Sequence, residues 1–171
     1  MGKIYIGFSS PTAKFAPFAE LIKWVEARPY DHVYIRLQEP MDAEYMIFQA
    51  SKEMVNLYNK DIFQSCNFSH KEYELSITDA QHVLLWRFVK SNLGIPYSLK
   101  EDFGILLMKI FKLRKNPFDN GMSASFCSEL GADVCKLLEI DISEESSSID
   151  PTLLDSILSD KKLPCVDSPK F

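Results

Sequence analysis

The sequence predicts an α+β fold, and three observations carry that expectation. Short segments alternate apolar and polar residues, as where Val33, Ile35 and Leu37 flank Tyr34 and Arg36, and these read as strands. Other segments space their apolar residues along one helix face, as do Leu130, Val134, Leu137 and Leu138. The two kinds are interspersed along 171 residues, 46% of them hydrophobic, which suits one packed core. The chain is accordingly read as a single domain, 1–171, with 141–171 as a peripheral C-terminal segment.

Taken in order, residues 3–8 form a short strand that Ser9-Ser10-Pro11 breaks. Ser10 as N-cap and Pro11 in the first turn then open a helix carrying Phe15, Phe18, Leu21, Ile22 and Val25, which Pro29 ends. A strand begins directly after Asp31-His32, turns over residues 38–42, and meets a partner strand over 45–50. Residues 52–72 carry weaker signals, read as one or two short strands and a loop, before a strand over 73–77. Thr78 and Gln81 make a capping box for a helix through Val83, Leu84, Trp86, Phe88 and Val89, and Gly94 sits where its C-terminal cap belongs. A Gly94-Ile95-Pro96-Tyr97 loop leads to a short apolar helix over 103–111 and a loop over 116–121. A strong helix follows, roughly 126–138. The acidic, serine-rich stretch 143–148 reads as a mobile linker, Asp150-Pro151 opens a last helix, and the tail after Lys161 reads as irregular.

The net charge of −5 argues against general nucleic-acid binding, which needs a basic surface. No apolar run is long enough to span a bilayer, the N-terminus lacks the pattern of a signal peptide, and Ile6 stands where a myristoylation signal needs Ser or Thr. A cytoplasmic location is expected. Cys66, Cys127, Cys135 and Cys165 form no CxxC pair, so neither a structural zinc nor disulfides are expected, and no cofactor is called for.

Cys127 is the most informative residue. It falls at the N-terminus of the strong helix, where the dipole and unpaired N–H groups favour a thiolate and can bind an oxyanion. A buried core cysteine is the plain alternative, and Cys135, in mid-helix, is read that way. His32, at a strand start, is placed to act as a base; a loop histidine bonded to Asp31 is its alternative. His70, in a polar loop, and His82, in an amphipathic helix, are read as structural. A thiol–imidazole pair needs a third group to orient the ring. A hairpin between 32–37 and 45–50 would bring Gln49 to His32, and its side-chain oxygen can accept from the ring N–H.

Several of these residues are shared with a known family. Arg28-Pro29-Tyr30-Asp31-His32-Val33-Tyr34-Ile35, then Phe48-Gln49-Ala50, Gly94-Ile95-Pro96-Tyr97 and Phe126-Cys127-Ser128-Glu129-Leu130 resemble, in that order, the motifs of circularly permuted NlpC/P60 papain-like proteins. That group includes the permuted papain-like amidases of the YiiX/YebB kind. The resemblance spans roughly residues 3–138. It implies a permuted papain-like fold, an antiparallel sheet packed with helices, with Cys127 as nucleophile, His32 as base and Gln49 as third residue. Gln49 departs from the Glu or His common at that position. Tyr97 and Ser128 would line the substrate or oxyanion site.

The function expected is a cysteine-dependent amidase or peptidase working through an acyl-enzyme on a peptide, amide or acyl substrate. Two alternatives stand beside it. One is a weak or inactive binding module on the same fold. The other is a lipid acyl hydrolase or transferase. For that last reading, Leu106, Leu107, Ile110, Phe111 and Leu113 lie beside Lys109, Lys112, Arg114 and Lys115, so residues 103–115 could form a lid or touch a membrane, or equally a core helix with a basic end.

Overall fold

The computed structural model describes residues 2–12, 23–25, 27–38, 44–51, 53–113, 115–118 and 125–169. Its architecture is α+β. Six strands, β1 (Gly2–Pro11), β2 (His32–Gln38), β3 (Tyr45–Ser51), β4 (Met54–Asn59), β5 (Asn67–Ile77) and β6 (Cys165–Asp167), form one sheet. Its order is β4-β3-β2-β1-β5-β6, and every neighbouring pair is antiparallel. Beside it lie the helices α1 (Lys60–Cys66), α2 (Asp79–Asn92), α3 (Leu99–Phe111), α4 (Cys127–Leu137) and α5 (Pro151–Asp160).

Alternation along the strands divides the apolar side chains between two faces. Ile4, Ile6 and Phe8 of β1, Val33, Ile35 and Leu37 of β2, and Phe48 and Ala50 of β3 join Leu85 and Val89 of α2, Leu130 and Val134 of α4, and Leu154 and Leu158 of α5 in the main core. Each of these side chains except Ala50 contributes about 1.5–3 kcal/mol by leaving water. The other face is closed locally, where Phe63 of α1 packs on Tyr34 and Ile47. Gly131 lets α4 lie close to the sheet: a Cβ there would stand 2.9 Å from both Val33 Cγ1 and Leu154 Cδ2.

Two buried carboxylates tie elements together, Glu72 within the sheet and Asp155 between a helix and the sheet. Glu72 of β5 accepts from Tyr34 Oη at 2.9 Å and from Arg36 Nε at 2.9 Å, and the Arg36 guanidinium lies 3.7 Å above the Tyr5 ring. Asp155 of α5 accepts from Tyr30, from Tyr73 at 2.7 Å and from Lys71 at 2.9 Å. Burial alone would raise the Asp155 carboxyl; the hydrogen bonds from Tyr30, Tyr73 and Lys71 outweigh it and hold the pKa below the usual carboxylate value.

Most elements lie where the sequence places them. The Thr78–Gln81 capping box starts α2, Gly94 follows that helix at φ +82°, and Asp150 caps α5 with Pro151 in its first turn. Four readings are corrected. β1 runs through Ser9, Ser10 and Pro11 instead of breaking there, because β5 continues to pair with it after β2 has ended. Pro11 is the last residue of the strand, where a missing N–H is tolerated. The Ser10 hydroxyl meets His70 Nε2 at 2.8 Å instead of capping a helix, and His70 lies in β5, not in a loop. Residues 60–66 form a helix capped by Asn59, and residues 67–72 extend β5. In the tail, Cys165–Asp167 pairs with β5 as β6, and the linker stretch holds a 3-10 turn over Ser146–Ser148. The helix expected after Pro11 lies mostly outside the described residues.

Candidate active site

β2 begins at His32 itself, and its pairing with β3 holds from Gln38–Tyr45 to Ile35–Phe48. Carried three residues further, that register sets His32 opposite Ser51 and leaves Gln49 as its diagonal neighbour on the same face, a span that two longer side chains can bridge. They do so: His32 Nε2 lies 2.7 Å from Gln49 Oε1. An amide oxygen only accepts, so Nε2 carries the hydrogen and Nδ1 is the nitrogen left to take a proton. Burial pushes the His32 imidazole down to about 4, against the upward pull of the Gln49 hydrogen bond, so the ring is neutral at pH 7.

Cys127 is brought to this end of the sheet by backbone hydrogen bonds. Residues 94–97 run beside the start of β4, with Val55 N donating to Ile95 O at 2.8 Å, Gly94 N to Val55 O at 2.9 Å and Tyr97 N to Glu53 O at 2.9 Å. The same segment then grips Ser125: Ser125 N donates to Pro96 O and Ser98 N to Ser125 O, each at 3.0 Å. α4 starts two residues later. The Gly-Ile-Pro-Tyr segment is thus a structural stitch between the turn end of the β3–β4 hairpin and the helix tip that carries the thiol.

Within Phe126-Cys127-Ser128-Glu129-Leu130 each residue has a distinct task. Phe126 is the buried N-cap, and its N–H donates to the Glu129 carboxylate at 3.4 Å. Ser128 donates its hydroxyl to Ile149 O at 2.7 Å, and Leu130 enters the core. The Ser128 hydroxyl is therefore engaged in holding the segment before α5, and what this residue offers an oxyanion is its first-turn backbone N–H. Cys127 is the first helical residue, with 3% of its surface exposed. Tyr97 packs partly buried against the core. Cys135 is buried in that core, which pushes its thiol up to about 12, while Cys66 and Cys165 are exposed. His82 lies on α2, with Nε2 3.2 Å from Gln38 O.

Two residues near the pair escaped the sequence reading. Ser9 faces His32 across the β1–β2 ladder, and Asn56 faces Gln49 across the β3–β4 ladder. The Ser9 hydroxyl and Asn56 Oδ1 are both buried without a hydrogen-bond partner. Their signal was the register, which depends on strand bounds that the sequence left open.

No protein-family model matches the chain, and no curated protein matches it. Solved structures do. The chain is similar to the crystal structure of the metalloprotein YiiX from Escherichia coli O157:H7, DUF1105, with a TM-score of 0.55 and 16% identity, over 98% of this chain and 88% of that one. At that identity the likeness is one of fold. Among the described residues of this chain, no group of three or more His, Cys, Asp or Glu side chains is placed to hold a metal ion, and no helix is long and apolar enough to cross a membrane.

Proposed function

We propose that the chain is a cysteine-dependent amidase or peptidase of permuted papain-like fold. Cys127 would be its nucleophile, His32 its base and Gln49 the residue that orients the ring. The observation that carries this reading is the 2.7 Å His32–Gln49 hydrogen bond at the sheet end to which the 94–97 stitch ties the tip of α4. The likeness in fold to YiiX is consistent with it.

In this mechanism a neutral imidazole takes the Cys127 proton on Nδ1 as sulfur adds to the substrate carbonyl carbon. First-turn N–H groups of α4 receive the oxyanion. The imidazolium returns the proton to the departing amine, leaving a thioester. Water, deprotonated by His32, then adds to the thioester carbonyl and releases the acid, restoring the thiol. Gln49 is neutral, so it aims the ring without raising its basicity as a carboxylate would.

Competitive alkylation with iodoacetamide at pH 6–7, read by peptide mass spectrometry, tests the reading. Cys127 is expected to react faster than Cys66 and Cys165, although those two are exposed and it is not. Indifferent labelling would favour a binding module on the same fold.

One observation favours a second reading, an acyl hydrolase or transferase acting at a lipid surface. α3 leaves the stitch directly after Ser98 and exposes Leu99, Phe103, Ile110 and Phe111, with Lys100 and Lys112 alongside. Co-sedimentation with vesicles of anionic phospholipid, lost in a Phe103→Asp/Phe111→Asp double variant, is the expected outcome for that reading; absence of binding to such vesicles removes it.

A further inference from the structure

We propose that Ser128 is a positioning residue: its hydroxyl pins the first turn of α4 to the Ile149 carbonyl, and so fixes where the Cys127 thiol and the N–H groups beside it stand. The inference rests on the reading of Cys127 as nucleophile. A thiol at a helix tip serves chemistry only if the tip is held still, since a misplacement of about 1 Å can slow a reaction about 10²-fold.

Apolar packing does not supply that hold by itself. It sets how closely α4 approaches the sheet, through Gly131 against Val33 and Leu154, but it is non-directional and does not resist small slides along the helix axis. Hydrogen bonds are directional, and they bracket Cys127 on both sides. Two residues before it, the Ser125 backbone is held between Pro96 O and Ser98 N, each bond 3.0 Å. One residue after it, Ser128 Oγ donates to Ile149 O at 2.7 Å in a buried contact.

Both ends of that second attachment are stiff. A single side-chain torsion separates the serine oxygen from its backbone, so the bond locates the first turn closely. Ile149 is fully buried, and its N–H donates to Ser146 O at 3.1 Å. The next residue, Asp150, caps α5 by accepting from Leu153 N at 2.8 Å and meets Lys109 Nζ at 3.0 Å. Ser128 also stands where packing asks for no hydroxyl. It is almost wholly buried, and so is Ala132, one turn along the same helix face. An alanine at 128 would fill the same space. What serine adds is the bond to Ile149 O, and that bond acts on the turn that carries the thiol.

The test uses the full chain with Ser128→Ala, which removes the bond, and Ser128→Thr, which keeps a hydroxyl on the same carbon. Cys127 alkylation by iodoacetamide is measured against pH, and NMR relaxation of the Cys127 and Glu129 backbone amides reads exchange between settings of the turn. Ser128→Ala is expected to broaden both amides by exchange. It should also slow alkylation at pH 7 by about tenfold, with the rate recovering only toward the ordinary thiol pKa of about 8.5. Ser128→Thr is expected to restore narrow lines and the parent pH profile. Unbroadened amides in Ser128→Ala, or a parent pH profile beside a lowered thermal midpoint, would overturn the proposal, because the serine would then serve stability alone. A folded Ser128→Thr that behaves as Ser128→Ala would overturn it too; if Ser128→Thr does not fold, Ser128→Ala decides. The amide readings need no reactive thiol. A parent in which Cys127 labels no faster than Cys66 and Cys165 therefore removes the proposed activity, while the amides still decide the role of Ser128.

Discussion

Two polar regions of this molecule are organised in opposite ways. Around Asp155, a phenol from Tyr30, a phenol from Tyr73 and the ammonium of Lys71 converge on one carboxylate. Around His32, the hydrogen bond to Gln49 is flanked by two buried polar atoms that have no partner among the described residues, Ser9 Oγ and Asn56 Oδ1. Both regions lie among strands of the same sheet. A saturated cluster resists change and joins layers, here α5 to β5. An unsaturated one leaves acceptors and lone pairs unused, at a cost in stability of about 1–3 kcal/mol for each stranded group.

Substitution should separate the two most sharply. Cys127→Ala or His32→Ala is expected to reduce amide hydrolysis by at least about 10³-fold while leaving the thermal midpoint close to that of the parent. Asp155→Ala should do the reverse, costing about 3 kcal/mol in urea unfolding because Lys71 and two phenols lose their acceptor, with catalysis by the remaining folded protein little changed. Full turnover in Cys127→Ala would dissolve the contrast from one side; an unchanged urea midpoint in Asp155→Ala would dissolve it from the other.

A smaller effect separates them by pH. The folded-state pKa of His32, about 4, lies below its unfolded value, so the unfolded chain takes up this proton first. That stability is lost as pH falls from about 6.5 toward 4. Asp155 is depressed too, but as an acid: its contribution is full above the unfolded carboxylate pKa and disappears at lower pH, below about 4. Urea unfolding across pH 7 to 3 should show two successive declines. His32→Gln is expected to flatten the first and Asp155→Asn the second; a first decline that survives His32→Gln belongs to another group.

The sequence made part of this legible. The Cys127 helix tip, the His32 strand start and the Gln49 contact follow from local patterns, namely an apolar stripe after a loop, an alternating run after Asp31-His32, and a hairpin of matching parity. The α+β class followed from the same patterns. What stayed hidden depends on long-range pairing. Ser10-Pro11 has the composition of a helix start, yet β5 draws it into the sheet. Asn67 to Glu72 carries many polar side chains because several meet buried partners, Glu72 with Arg36 and His70 with Ser10. β6 has no local strand signal beyond three residues and exists because β5 offers it an edge. Asn56 and Ser9 matter through their partners across the ladders, and no short-range rule specifies those.

The place of β1 inside the sheet, between β2 and β5, has a consequence for how the protein comes into being. β1 needs a neighbour on each side, and one of them is synthesised only after β2, β3, β4 and α1. The β2–β3–β4 meander, carrying His32, Gln49 and Asn56, can pair locally in the meantime, whereas the Cys127 helix arrives after the sheet's inner strands are all available. A nascent chain stopped short of α4 would therefore hold the sheet's inner strands but lack Cys127 and the core side chains of that helix.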